Sequence, residues 1–399
     1  MNNVISQFVA AIQASDNMDA SAMDANNGAT DLLRDADQLT MLCTACFWAS
    51  LEMEERREVR GTLSLCSPAS TLLAKAFTNS VPVTIPNLVA LLTASPRTPL
   101  AVHVGSEGPA IWGVLDVEPD GLLRLRIAGN GTLLVSRSSR VLALLHKGTV
   151  SIPVAADEAS LEHLIANALG KDNFQKFRPH VSDKIIVPDK LIRVGTTMIR
   201  HGHGGTLVLV PPKNQSWRRS VRFRFSFDED SAKLLQVSVH DFEVGTYEAV
   251  RNYDDLVAGR NTASIIALRE RYEALNFLRT LNQSLLRRVG DLSLIDGAVV
   301  MDLDLCLLGF GAILLFGPED FLVTSLNAVT GELREQISLE DLGGMRHQSA
   351  ARFVHGNRAT EVFVVSQDGR LSLFSWSERM QCVAVVQNLE HFIWEYRTV

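Results

Sequence analysis

The sequence predicts two folded regions: a β-rich α+β domain in the N-terminal half, then an α/β (α+β) domain built on a mixed sheet. Three observations carry this reading. Short β-branched runs broken by glycine, proline and aspartate turns fill residues 61–150. Farther on, apolar strand-like runs at 206–210, 299–301 and 306–316 alternate with helical patterns at 190–200, 261–288 and 345–355. Finally, 399 residues exceed what one ordinary core covers.

Hydrophobic residues make up 46% of the chain and charged residues 21%, the balance of an ordinary globular protein. Lysine and arginine total 38 against 45 aspartates and glutamates, a net charge of −7. Gripping duplex nucleic acid through its phosphates is therefore disfavoured, although a local basic patch stays open. The five cysteines, at 43, 46, 66, 306 and 382, are an odd number, and Met1–Val4 has no basic start of a secretion leader. Reduced thiols in a cytoplasmic setting are the expectation. Cys43 and Cys46 form a lone C-x-x-C in an apolar stretch, which reads as a buried helix ahead of a redox or metal site. No span reaches the ~18 apolar residues of a membrane helix. The longest candidate, Leu305–Phe316, is interrupted by Gly309 and Gly311 and reads as a buried strand.

In order, residues 3–14 carry an amphipathic helical pattern, and 1–36 otherwise reads as a mobile, polar tail. Residues 37–60 read as a helix with a buried first half and a charged second half. Strands are expected at 60–65, 100–104, 110–117, 122–127 and 132–135, in an antiparallel unit with a helix near 86–93. This unit, 37–150, carries no catalytic pattern and reads as a sensor or regulatory domain of unknown ligand. A connector at 151–184 includes a helix over 157–169. Next comes a second domain at 185–380, with 381–399 as an extension. His201 and His203 flank a glycine turn; an i, i+2 pair is a poor metal site, so backbone approach to a ligand is the preferred reading. Residues 218–227 alternate arginine and phenylalanine. They read as a half-buried strand, ahead of a surface that stacks single-stranded nucleic acid.

Two stretches hold the chemistry. Asp296–Gly297–Ala298 places an acid on a tight turn before an apolar run, and Gly343–Gly344–Met345–Arg346–His347 places a cation and an imidazole at a helix start. A carboxylate can hold a divalent metal, an arginine fork suits phosphate oxygens, and a helix N-terminus favours anions. Phosphoryl and nucleotidyl transfer need such positioning rather than covalent help.

Asp296–Gly297–Ala298, Gly344–Met345–Arg346–His347–Gln348–Ser349 and Val365–Ser366–Gln367–Asp368–Gly369–Arg370–Leu371–Ser372 together resemble the catalytic domain of diadenylate cyclases. That family carries D-G-A, then G-T-R-H-R, then V-S-E-E-x-G-x-I-S. His203–Gly204–Gly205–Thr206–Leu207 resembles its opening strand. The likeness spans roughly 185–380, with about 217–260 as an insertion, and Ser50–Arg56 resembles the sensor region of one subgroup. The resemblance implies a diadenylate-cyclase-like fold that condenses two ATP into cyclic di-AMP and pyrophosphate, using Mg2+ or Mn2+. Its domains would meet face to face in a homodimer or higher oligomer; the sequence itself makes a membrane partner unexpected and nucleic acid disfavoured. Carried over, Asp296, Arg346 and His347 are catalytic, and Asp296 and His347 meet the metal. Gly204, Gly205, Thr206, Gly297, Ala298, Gly344, Ser349 and Ser366 line the nucleotide.

The chain departs from the family at Met345, Gln348 and Gln367, which replace threonine, arginine and glutamate. Losing a phosphate cation costs about 2–4 kcal/mol of transition-state stabilisation, and Arg352 and Arg358 are the nearby candidates to replace it. A nucleotide-binding sensor without turnover therefore stands as the alternative, and an interaction protein centred on the N-terminal half as a third reading.

Overall fold

The computed structural model describes residues 2–17, 35–54, 57–68, 74–94, 98–105, 108–116, 121–137, 140–153, 187–257, 265–317 and 320–392. The helix expected at 157–169, most of the connector and most of the expected tail lie outside them. The chain divides into two compact units, Met1–Ala168 with Ala328–Gly331 and His391–Val399, and Leu169–Asn327 with Glu332–Glu390.

In the first unit, helix α1 (Asn2–Asn17) buries Ile5, Phe8, Val9 and Ile12 at helical spacing. Helix α2 (Ala36–Ala49) starts at Asp35, whose carboxylate accepts from the Asp37 and Gln38 amides. It stops well short of residue 60. Ser50 donates to Phe47 O and accepts from the Gly131 amide, fixing the turn, and the charged run continues as a small ribbon of β1 (Met53–Glu54) and β2 (Arg57–Glu58). Cys43 and Cys46 are fully buried in α2, and burial pushes Cys43 up to about 12 and Cys46 well above its usual value. These are inert core thiols.

The remaining elements are β3 (Gly61–Leu65), β4 (Ala74–Pro82), α3 (Ile85–Ala94), β5 (Leu100–Gly105), β6 (Gly108–Leu115), β7 (Leu123–Gly129), β8 (Thr132–Arg137), β9 (Arg140–His146) and β10 (Thr149–Ser151). The strands form one sheet in the order β10-β9-β8-β7-β3-β5-β6-β4. It is antiparallel except for the parallel pair β3–β5. The wholly antiparallel expectation misses this pair, and also misses β4, β9 and β10. The sheet joins α1, α2 and α3 in one apolar core.

The second unit begins with α4 (Val187–Arg200) and β11 (Gly205–Val210), a strand buried at all six positions. A 3-10 turn (Ser216–Ser220) leads to β12 (Val221–Arg222) and β13 (Phe225–Ser226), both paired with a later strand. The expected half-buried strand at 218–227 is thus two short pairings with a break between them. Its phenylalanines are not all inside, for Phe225 is 42% exposed and stacks on Phe310.

Helices α5 (Glu229–Val257) and α6 (Ile265–Asp291) pack together through a buried bond from Ser238 Oγ to Asn282 Oδ1 (2.5 Å). After them come β14 (Ala298–Asp302), β15 (Leu307–Leu314), β16 (Val323–Leu326), β17 (Leu333–Ile337), α7 (Met345–Gly356), β18 (Glu361–Val365), β19 (Leu371–Ser377) and β20 (Cys382–Val386). The sheet runs β12-β15-β14-β11-β18-β19-β20-β16-β17, with β13 also on β15. It is mixed: β11–β14 and β16–β20 are parallel, their neighbours antiparallel. β20 lies inside this sheet, so the fold continues past residue 380. The stretch Leu305–Phe316 is not wholly buried, since Ile313 is 56% exposed.

One face of the sheet packs on α7 through Val208, Val210, Val362, Val364 and Phe374 against Ala350, Ala351, Phe353 and Val354. On the other face α4 reaches β19, where Gly195 abuts Leu371, and α4 crosses α6 closely. At that crossing a Cβ on Gly290 would lie 2.5 Å from Thr197 Cβ and 3.0 Å from Val194 O. Gly290→Ala should therefore destabilise the chain by about 1–3 kcal/mol despite alanine's better helix propensity. A lower denaturant midpoint at unchanged slope is the expected result.

Candidate functional site

Strand pairing brings distant segments to one end of the second sheet. β11 is parallel to β14, with Thr206 opposite Ala298, and antiparallel to β18, with Gly205 opposite Val365 and Thr206 opposite Val364. The turn before β11, the Asp296–Gly297 turn before β14 and the β18–β19 turn therefore emerge at the same edge. The start of α7 meets them there.

Glycines make this convergence possible. Gly204 has φ +66, and a Cβ on it would lie 2.6 Å from Val365 O and 3.1 Å from Arg346 Nη1. Gly204, Ser366 and Arg346 thus form one packed group. Gly297 has φ +112, and its Cβ would meet Gly311 C at 2.5 Å. Only glycine lets the D-G-A turn lie against β15. Asp296 itself is exposed on this turn.

A histidine pins the two turns together. His201 Nδ1 accepts from the His203 amide (3.2 Å), and its Nε2 lies 2.9 Å from Ser293 Oγ, which donates to Gly290 O (2.7 Å). This pattern uses the neutral ring with its proton on Nε2. Burial lowers the His201 pKa, followed by the effect of His203. Neither His201 nor Ser293 stands out as a pair in the sequence, because 92 residues separate them.

Gly344 caps α7 with extended backbone and no side-chain bond, so the first turn of α7 opens toward the edge. Arg346 has no hydrogen bond or ion pair among the described residues. His347 lies 3.5 Å from Ser372 Oγ through Nε2 and meets Phe374 edge-on. Burial lowers its pKa, with Asp368 opposing and Arg346 and Arg370 adding to the drop. Ser349 is half-buried farther along α7. In the β18–β19 turn Ser366 Oγ donates to Asp368, and Arg370 pairs with the same carboxylate at 2.9 Å.

The departures have concrete fates. Gln348 donates its amide to Gly343 O (3.0 Å), closing the glycine turn. Met345 is 74% exposed. Arg352 pairs with Asp320 at 2.9 Å. Arg358 lies 4.0 Å over Trp376, near the opposite end of β19, and so cannot serve this edge. No three His, Cys, Asp or Glu side chains gather as a metal site among the described residues. His201 is engaged by Ser293 and by the His203 amide, so both of its ring nitrogens are in use. No helix among the described residues is long and apolar enough to cross a membrane.

One family model matches the chain, described as "Probable sensor domain DACNV", over residues 29–116 in the first unit. No curated protein and no solved structure matches the chain.

Three outcomes follow from this site. Gly204→Ala should cost about 1–3 kcal/mol in urea unfolding, from backbone strain and the Val365 clash. Gly344→Ala, at φ −67 with open space around its Cβ, should cost under about 1 kcal/mol. The lowered His347 pKa means the unfolded chain takes up this proton first. Its contribution is complete above the unfolded value of about 6.5 and is lost as pH falls through the lower folded value. Stability measured from pH 7.5 to 5 should therefore decline, with a shallower slope in His347→Gln.

Proposed function

We propose that the second unit is a diadenylate-cyclase-type nucleotidyltransferase, controlled by the sensor domain that precedes it. The observation that carries this reading is the meeting of four separate segments at one sheet edge: Gly204–Thr206, Asp296–Ala298, Gly344–Arg346 and Ser366. The sensor-family match over residues 29–116 supports the same reading, since such sensors accompany cyclases of this type.

In the reaction each of two ATP molecules gives its ribose 3′-oxygen to the α-phosphorus of the other. Each α–β anhydride bond breaks, pyrophosphate leaves with the bonding electrons, and each 3′-hydroxyl loses its proton. Asp296, exposed beside the close Gly297 contact, accepts that hydroxyl's hydrogen bond and stabilises its deprotonation. Arg346 and the open first turn of α7 bind triphosphate oxygens. His347, kept neutral by burial, donates or accepts a hydrogen bond without adding charge. Gly204, Gly205 and Thr206 would offer backbone to the nucleotide, although Gly205 is filled over by Met198 and Ser293 and Thr206 and Ala298 are buried, and Ser349 and Ser366 border it. A single exposed carboxylate suits a Mg2+ or Mn2+ ion that arrives with the triphosphate, rather than a resident ion. Such an ion would be held by Asp296, with His347 able to add a ring nitrogen, and it would neutralise phosphate charge. Two copies facing each other would complete the reaction.

The Gln348–Gly343 bond favours a second reading, in which the domain binds ATP without turnover. Mass spectrometry of products from ATP with Mg2+ or Mn2+ separates the two. Cyclic di-AMP is expected from the wild type, and turnover should fall at least about 100-fold in Asp296→Asn. ATP binding with no cyclic product under either metal would support the second reading.

A further inference from the structure

The proposed site has one cation at the α7 start where the resembling family has two. Gln348, in place of that second cation, closes the glycine turn; of the other arginines, Arg352 pairs with Asp320, Arg358 lies on Trp376, and Arg370, on the β18–β19 turn of the same edge, pairs with Asp368. We infer that Arg224, from the segment between β12 and β13, is the second nucleotide-contacting cation of this site. This rests on the nucleotide reading above.

The placement comes from strand pairing. Phe225 pairs with Phe310 on β15, which sets Arg224 opposite Gly311. Gly311 has φ +62 and no side chain, and a Cβ there would lie 3.2 Å from Arg224 Cβ and 3.6 Å from its Cδ. The same point is 3.5 Å from Ile295 Cγ2, and the neighbouring Gly297 packs directly on Gly311. Arg224 therefore leans its aliphatic stem over the residue against which the Asp296–Gly297 turn rests. Its guanidinium lies 5.3 Å from the Phe225 ring. It has no carboxylate partner among the described residues, and the side chain is exposed. A guanidinium held on an aromatic face beside an acid-bearing turn, with its fork unspent, is suited to a phosphate group. Within a chain of net charge −7, Lys213, Arg218, Arg219 and Arg222 are exposed on the same segment and add to the local positive potential.

The test is calorimetric binding of ATP and of adenosine to the full chain, with Arg224→Gln, Arg224→Lys and Arg219→Gln compared at equal thermal midpoint. Arg224→Gln should weaken ATP about tenfold to a hundredfold and leave adenosine unchanged, because only the phosphates lose a charged partner. Arg224→Lys should fall between, and Arg219→Gln should stay within about threefold of wild type at 0.15 M salt, where surface charges are screened. Unchanged ATP affinity in Arg224→Gln, with the wild type binding ATP, overturns the inference and leaves the nucleotide reading standing. Equal losses for ATP and adenosine also overturn it, since they mark a disturbed site and not a lost phosphate contact. A wild type that binds neither ligand removes the nucleotide reading and this inference with it.

Discussion

The second unit depends on how β11 is held. It pairs in parallel with β14 on one side and antiparallel with β18 on the other, and all six of its residues are buried. A slip of one residue would exchange Leu207 and Leu209 with Val208 and Val210 between two differently packed faces, and would move Thr206 off its level with Ala298 and Val364. The register is thus strongly specified. It decides that three chain-distant turns leave the sheet at one edge, and that α7 starts beside them. The close glycine contacts at 204 and 297 then bring those turns near enough to act together.

Charge at that edge is arranged unevenly. Its carboxylate Asp368 is taken by Ser366 and Arg370, and the Ser366 bond foremost holds its pKa below the usual value. Arg346 stands without such a partner among the described residues, next to an open helix N-terminus. His347 and His201 are kept neutral chiefly by burial. The result is an anion-favouring edge on an acidic chain, with Asp296 as the exposed acid beside it.

Local patterns predicted much of this unit well. The apolar run of β11 and the glycine-led start of α7 both follow from side-chain periodicity and turn chemistry, and both are present. Other patterns misled. Alternation at 218–227 promised a continuous half-buried strand. The chain instead pairs twice, two residues at a time, on the outer side of β15, where one flank faces water. The charged run after residue 50 kept helical spacing, yet the Ser50 bonds to Phe47 and Gly131 end the helix. Period alone does not register a tertiary bond that costs a helix its next turn.

By itself the sequence determined where turns and glycines fall, which runs pair as strands or wind as helices, and that a sensor-like β-rich region precedes an α/β region. Each of these is a property of one residue or a short window. Only the tertiary structure decided which of those residues share an edge. It set His201 on Ser293, turned Gln348 onto Gly343, sent Arg358 to the far end of β19, and laid Arg224 over Gly311 beside Asp296 and Gly297. The physical reason is that strand order and register come from burying two faces of a ten-stranded sheet at once. That requirement is satisfied by pairings across scores of residues, which no local period records.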